Sequence, residues 1–271
     1  MNSKKTNNLI SVENAQEIIF SKFKKLETIK KKLIDSSGFI LEKEIKALFD
    51  LPNKNNSAMD GFAVRHEDLE PNKSLKVVGR VGAEAITDYV LKKDEALRIM
   101  TGSGIPEGAD SVVPFEKTNN NPHKGNDFPD SVLINETVKK GDNIRLSGQD
   151  YKFGETVVKG GMLIDPPIVG AIASFGINEV SVIRKPMVSV ISTGNELVMP
   201  GDKLKEGQIY DSNSFAISAA IKNSGADFKM HRILSDNKED VDKLYEDCSQ
   251  SDLIVTIGGV SKGDFDLIRD A

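Results

Sequence analysis

Residues 186–196, PMVSVISTGNE, run an apolar strand, Val188 to Ser192, straight into a glycine-bearing polar loop, and the chain then repeats that plan. Ser214 to Asn223 reads as a helix closed by Gly225, Phe228 to Leu234 as a second strand, Lys238 to Cys248 as a second helix and Leu253 to Ile257 as a third strand. The order is β-α-β-α-β. Right-handed crossovers make such strands parallel and bring all three C-termini to one edge of the sheet, where open α/β folds bind ligands.

Three loops leave that edge: Thr193-Gly194-Asn195-Glu196, Ser235-Asp236-Asn237, and Gly258-Gly259-Val260-Ser261-Lys262-Gly263-Asp264-Phe265-Asp266. Glycines at 258, 259 and 263 permit positive φ and close backbone approach, so successive N–H groups can form an anion nest, with Ser261 adding a hydroxyl and Lys262 a charge. Phosphate or a pterin-like polar group suits such a nest. The carboxylates of Glu196, Asp236 and Asp266 would repel an anion unless a divalent cation stood between them, and oxygen ligands clustered beside phosphate are the usual setting for Mg²⁺. Each loop alone also has a plain structural reading. Glycine pairs make tight turns, carboxylates after strands cap helices, and Asp236 with Glu239 spells a capping box. The coincidence of three loops at one edge favours a ligand site.

Working towards the N-terminus, Lys185-Pro186 marks a domain boundary. Residues 51–185 carry short β-type runs (Leu75 to Val81, Ala96 to Met100, Ser111 to Phe115, Ser131 to Glu136, Glu155 to Val158, Val180 to Ile183) among Gly, Pro, Asn and Asp clusters. Thr118 to Asp130 reads as an exposed loop, and Ile168 to Phe175 as a helix ending at Gly176. From Ser11 to Leu33 the apolar residues recur at helical spacing, which predicts one long amphipathic helix. Phe39 to Leu41 then suits a short strand, and Lys43 to Phe49 a short helix stopping before Pro52.

Three upstream segments hold further candidates. Asn56 to Val64 places Asp60 beside Gly61 just before an apolar run, a pattern that equally describes a turn entering a strand. Arg98 to Gly102 ends a strand in the hydroxyl of Thr101 and a glycine, followed by the Pro/Gly loop Ile105 to Asp110; an ordinary inter-strand loop has the same composition. In Gly141 to Asp150, Arg145 is placed to pair structurally with Asp150. No Ser-His-Asp or Cys-His nucleophile system is legible.

Composition narrows the chemistry. The 271 residues carry 36 Lys+Arg against 41 Asp+Glu, a net charge of −5 that offers no global field for nucleic acid or anionic lipid. One cysteine, Cys248, and three scattered histidines cannot make a compact zinc site, so a metal here would be held by oxygen. No signal-peptide core and no apolar run of membrane-spanning length is present, and the chain reads as cytoplasmic.

Six ordered blocks, LPNKNNSAMDGFAV (51–64), RIMTGSGIPEGADSVVPFE (98–116), GDNIRLSGQD (141–150), STGNELVMPG (192–201), GQIYDSN (207–213) and GGVSKGDFD (258–266), resemble the molybdopterin molybdenumtransferase family, known as MoeA and as the E domain of gephyrin. The resemblance implies an elongated multidomain chain of α/β plus β-rich domains. Residues 1–50 and 140–185 would form a helix-containing linker and dimerisation domain, 51–139 a β-rich domain, and 186–271 part of a three-layer α/β molybdopterin-binding domain.

The resemblance further implies a homodimeric, Mg²⁺-dependent enzyme of molybdenum cofactor biosynthesis that inserts molybdate into adenylyl-molybdopterin and releases AMP, with the molybdopterin adenylyltransferase as a further partner. Carried over by motif position, Asp60, Thr101, Glu196, Asp236 and Asp266 are the functional set, the last three binding metal. Thr193, Gly194, Gly258, Gly259, Ser261 and Gly263 would bind the pterin nucleotide, and Arg145 and Asp150 would serve assembly. The family has Asp where this chain has Asn195, and register selects Asp266 over Asp264. The family also continues past the point reached by Ala271, which leads to the expectation of a C-terminally truncated product with an incomplete sheet and poor turnover. The alternative from another class is a noncatalytic dimeric molybdopterin-binding or scaffold module.

Overall fold

The computed structural model describes residues 10–82, 88–119, 129–194, 196–233, 243–244 and 246–258. In chain order it contains helix α1 (Val12–Lys22) and strands β1 (Thr28–Lys32), β2 (Ile40–Leu41), β3 (Ile45–Lys46), β4 (Asn56–Ser57) and β5 (Gly61–Val64). Strands β6 (Lys73–Val81), β7 (Glu95–Ile99), β8 (Ser111–Pro114), β9 (Ser131–Ile134), β10 (Ile144–Arg145) and β11 (Thr156–Val158) follow. Then come helix α2 (Pro166–Ala173), strands β12 (Glu179–Ile183), β13 (Met187–Thr193), β14 (Leu197–Val198) and β15 (Ile209–Tyr210), helix α3 (Ser212–Asn223), and strands β16 (Asp227–Ile233) and β17 (Leu253–Ile257). Residues 243–244 and 246–248 are also helical.

The chain divides into two compact units, one of Glu44–Lys159 with Ser174–Gly176, the other of the remaining segments. The first is built on a five-stranded mixed sheet in the order β8-β5-β7-β6-β9. Side chains alternate across a strand, and here both faces are apolar. Phe62 and Val64 enter one cluster with Leu75, Val113, Phe115 and Ile134, while Ala63 enters the other with Leu97, Ile99 and Val112. Phe62 and Phe115 meet edge to face with centroids 5.4 Å apart, and the Arg98 guanidinium lies 5.1 Å from the Phe115 ring centre. Two small antiparallel pairs, β10 with β4 and β11 with β3, pin later chain onto the segment before the sheet.

The second unit contains the antiparallel sheet β1-β12-β2 and the parallel sheet β16-β13-β17. The strands run parallel, as the β-α-β-α-β reading requires, and β13 is the central one. Helix α3 packs on β13 and β16, and its Ile217, Ala220 and Ile221 share a cavity with Val188. Leu244 and Cys248 pack on Ile191 instead. Val188 and Ile191 stand on opposite faces of β13, so helices cover the sheet from both sides. A two-stranded parallel pair, β14 with β15, has no counterpart in the sequence reading.

Two expectations at the N-terminus fail. The long helix from Ser11 to Leu33 is a helix only from Val12 to Lys22, capped by the Ser11 hydroxyl accepting from the Asn14 N–H at 3.1 Å, after which Phe23 is extended. Thr28 to Lys32 is a strand, because β12 supplies an antiparallel partner from Thr28–Ile183 to Lys32–Glu179. Its exposure alternates with period two, and the helical spacing of Leu26, Ile29 and Leu33 was coincidental. Nor does Lys43 to Phe49 form a helix: Ile45–Lys46 is a strand, and Ala47 exchanges backbone hydrogen bonds with Glu155 and Gly154, at 2.8 and 2.9 Å. Most of the Thr118 to Asp130 segment lies outside the described residues. No helix among the described residues is long and apolar enough to cross a membrane.

Candidate functional site

In the five-stranded unit, two motifs meet at a carboxylate. The Thr101 N–H and hydroxyl both donate to Oδ1 of Asp60, at 2.7 and 2.8 Å. Asp60 directly precedes β5 and Thr101 follows β7, which are antiparallel partners in register Gly61–Ile99, so the sheet itself brings the two residues together. Gly61 is fixed by the opposite neighbour. A β-carbon there would lie 2.1 Å from the Val113 carbonyl oxygen, which no side chain tolerates. Both Asp60 and Thr101 are exposed, and Oδ2 of Asp60 takes no hydrogen bond among the described residues.

The loops around this pair are tied down by the backbone. Ser57 N–H donates to the Ser103 carbonyl and Gly102 N–H to the Ser57 carbonyl, each at 2.9 Å. Ala58 N–H donates to the carbonyl of Asn143 at 2.9 Å. Asn143 holds a left-handed φ of 60°, and its side-chain amide donates to the Val112 carbonyl at 2.8 Å. The three upstream blocks of sequence are therefore one hydrogen-bonded assembly. Arg145 pairs with Asp150 across its rim, and both side chains are about two-fifths exposed. Sequence reasoning named Asp60, Thr101, Arg145 and Asp150. It missed Ser57 and Asn143, the first signalled only by a hydroxyl two residues before Met59, the second by an Asn following Gly-Asp in a turn.

In the other unit, β13 and β17 deliver their C-terminal loops to one edge. Gly194 has a φ of 143°, and a β-carbon there would fall 2.6 Å from a carboxylate oxygen of Glu196, so that side chain is folded back over the glycine. Gly258, with a φ of 87°, lies against Thr193, whose Oγ1 would be 3.1 Å from a β-carbon at 258. Thr193, Gly194, Glu196 and Gly258 thus gather as the parallel topology requires. Asn195, Asp236, Gly259, Ser261, Lys262, Gly263, Asp264 and Asp266 lie outside the described residues.

Glu196 is exposed and forms no ion pair among the described residues. It offers carboxylate oxygen, the chemistry of a hard cation such as Mg²⁺. No group of three potential metal ligands occurs among the described residues. The loop after β14 and β15 leads to Asp211, which sequence reading left without a role. It is buried, and its Oδ1 accepts from the Ser214 N–H at 3.0 Å, capping α3 at the strand-end side of the sheet.

Comparison with known proteins matches residues 10–176 to a family described as the MoeA N-terminal region (domain I and II), and residues 189–271 to a probable molybdopterin binding domain. The molybdopterin molybdenumtransferase of Staphylococcus epidermidis is 37% identical over 267 residues, covering 96% of this chain and 62% of that protein. That of Staphylococcus aureus is 34% identical over 269 residues, with 97% and 62% coverage. The crystal structure of a molybdopterin biosynthesis moeA protein from Pyrococcus horikoshii OT3 superposes with a TM-score of 0.80 at 27% identity, over 92% of this chain and 66% of that one. A second structure from the same species gives 0.73 at 32% identity, over 95% and 65%. The chain spans 62% of the length of these curated relatives.

Proposed function

The chain belongs to the MoeA family of molybdopterin molybdenumtransferases, and on that premise we propose that it serves molybdenum cofactor biosynthesis by inserting molybdate into adenylyl-molybdopterin with cleavage of the phosphoanhydride and release of AMP. The observation that carries this reading is the convergence of Asp60 and Thr101. Residues from two separate motifs, 41 positions apart, fix one carboxylate oxygen and leave the other open to a ligand. Phosphoanhydride cleavage calls for fixed donors and charge compensation more than for a protein nucleophile.

In this reading Glu196, Asp236 and Asp266 hold Mg²⁺, while Thr193, Gly194, Gly258, Gly259, Ser261 and Gly263 seat the pterin and its phosphates through backbone and hydroxyl groups. The cation, when bound, offsets negative charge on the phosphate oxygens. Asp60 and Thr101 of one copy act at the strand-end edge of a second copy, with Arg145 and Asp150 supporting the homodimer.

The test is to supply the purified chain with adenylyl-molybdopterin, molybdate and Mg²⁺ and to quantify AMP by chromatography. Slow, Mg²⁺-dependent AMP release is expected, with Asp60→Asn and Glu196→Gln each lowering it by about a hundredfold, the loss typical of removing a key charge-stabilising group. Release that ignores both Mg²⁺ and these substitutions would refute the assignment.

A further inference from the structure

Ser57 is buried, with 1% of its surface exposed, yet its hydroxyl is fully engaged. It donates to the Met59 carbonyl at 2.6 Å and accepts from the Met59 N–H at 3.3 Å. A side chain that bonds the backbone two residues ahead closes a local turn, and here the turn ends on Asp60. The main chain of Ser57 meanwhile holds the facing loop from both sides, through Ser103 and Gly102, the two residues after Thr101. Ser57 thus grips both halves of the Asp60–Thr101 pair without touching either carboxylate or hydroxyl. Its neighbour across β4 and β10 is Ile144, so its position is itself fixed by the chain beyond Asn143.

We propose that Ser57 is the positioning residue of this site: its hydroxyl bends the 57–60 turn so that Oδ1 of Asp60 meets both donors of Thr101 and Oδ2 stays free for ligand. This rests on the reading of Asp60 and Thr101 as parts of the active centre. Without the hydroxyl, the Met59 N–H and C=O lose their shared partner in a part-buried setting, and the turn relaxes towards other hydrogen bonds. Asp60 then swings out of register with Thr101 while the strands on either side remain.

The decisive measurement is amide hydrogen exchange by NMR on the full chain carrying Ser57→Ala. The Thr101 amide is expected to exchange at least about tenfold faster, as for loss of a hydrogen bond to a charged group, with the amides of Ala63 and Leu97 unchanged. Ser57→Cys, which keeps the side-chain shape in a slightly larger form but has only a weak S–H donor, gives the same reading should Ser57→Ala not fold. In the AMP assay Ser57→Ala should lower kcat more than it raises KM, and should add nothing in an Asp60→Ala background. An unchanged Thr101 amide, or a loss that adds fully to that of Asp60→Ala, would overturn the proposal. If the parent chain releases no AMP, the catalytic reading of Asp60 falls, while the exchange result still decides whether Ser57 sets the pair.

Discussion

Thr101 gives both its backbone N–H and its hydroxyl to a single oxygen of Asp60, at 2.7 and 2.8 Å. Two donors on one oxygen orient the carboxylate without occupying it. Thr101→Ser keeps both and should retain most of the activity, whereas Thr101→Val keeps only the N–H. We expect Thr101→Val to cost about tenfold or more in kcat at little cost in stability, as for a lost hydrogen bond to a charged group. Equal kcat for the Ser and Val variants would remove the hydroxyl from the account.

Gly194 is held at a φ of 143° with the Glu196 carboxylate packed where a β-carbon would go. Gly194→Ala should therefore cost about 1–3 kcal/mol of local strain and displace Glu196 as well. Mg²⁺ affinity, measured by calorimetry, should fall in this variant as far as in Glu196→Gln. Unaltered affinity would show that Glu196 does not hold the metal.

Gly61 tests the sheet rather than the chemistry. A methyl group at this position meets the Val113 carbonyl oxygen at 2.1 Å, between two strands that are paired residue for residue. Gly61→Ala should destabilise its unit by about 3 kcal/mol or more, the upper end of overpacking penalties, visible as a lowered denaturant midpoint by circular dichroism. The exposed Arg145–Asp150 pair is the contrast. Arg145→Gln should cost less than about 1 kcal/mol of stability, and a loss of dimer in ultracentrifugation without loss of fold would mark its role as assembly.

Arg184 ties three segments of the other unit. Its two η nitrogens donate to Asp252 at 2.6 and 2.7 Å, its Nε donates to Glu27, and Asp252 also accepts from the Met187 N–H at 2.8 Å. The Arg184 hydrogen bonds hold the Asp252 carboxyl below its ordinary range against the opposing effect of burial. A carboxylate lowered in this way stabilises the fold above the unfolded value of about 3.9, and that contribution is lost as pH falls through the folded value. The thermal midpoint should hold from neutrality down to about pH 5 and drop below about pH 4. Arg184→Met should lower the neutral midpoint and flatten the acid limb; parallel acid limbs would contradict the pairing.

The parallel sheet was legible because β13 and β17 are predominantly apolar, β-branched runs separated by helix-length segments. Strands β6, β7, β8 and β9 were legible as short runs bounded by turn residues, but their assembly into one five-stranded sheet was not. Thr28 to Lys32 was not, since its partner β12 lies far along the chain and its period-two exposure is carried by lysines rather than by a polar–apolar contrast. The two-residue strands β3, β14 and β15 are too short to have a period at all. At the site, Asp60 and Thr101 were named from separate motifs, but their contact depends on the β5–β7 register, which no local pattern encodes. The side chains of Ser57 and Asn143 bond to backbone groups rather than to other side chains, so neither pairs with a residue type that the sequence could have flagged.

The hydrogen bond from Ala58 to Asn143 gives the site an order of assembly. A ribosome that has made β5 and β7 has already supplied Asp60 and Thr101, but the carbonyl that anchors the Asp60 loop, and the strand that pairs with Ser57, emerge much later. Contacts this distant in sequence are slow to form, because the intervening chain must be closed first. The geometry of the Asp60–Thr101 pair is therefore a late product of synthesis, and a nascent chain that holds both residues does not yet hold them in place.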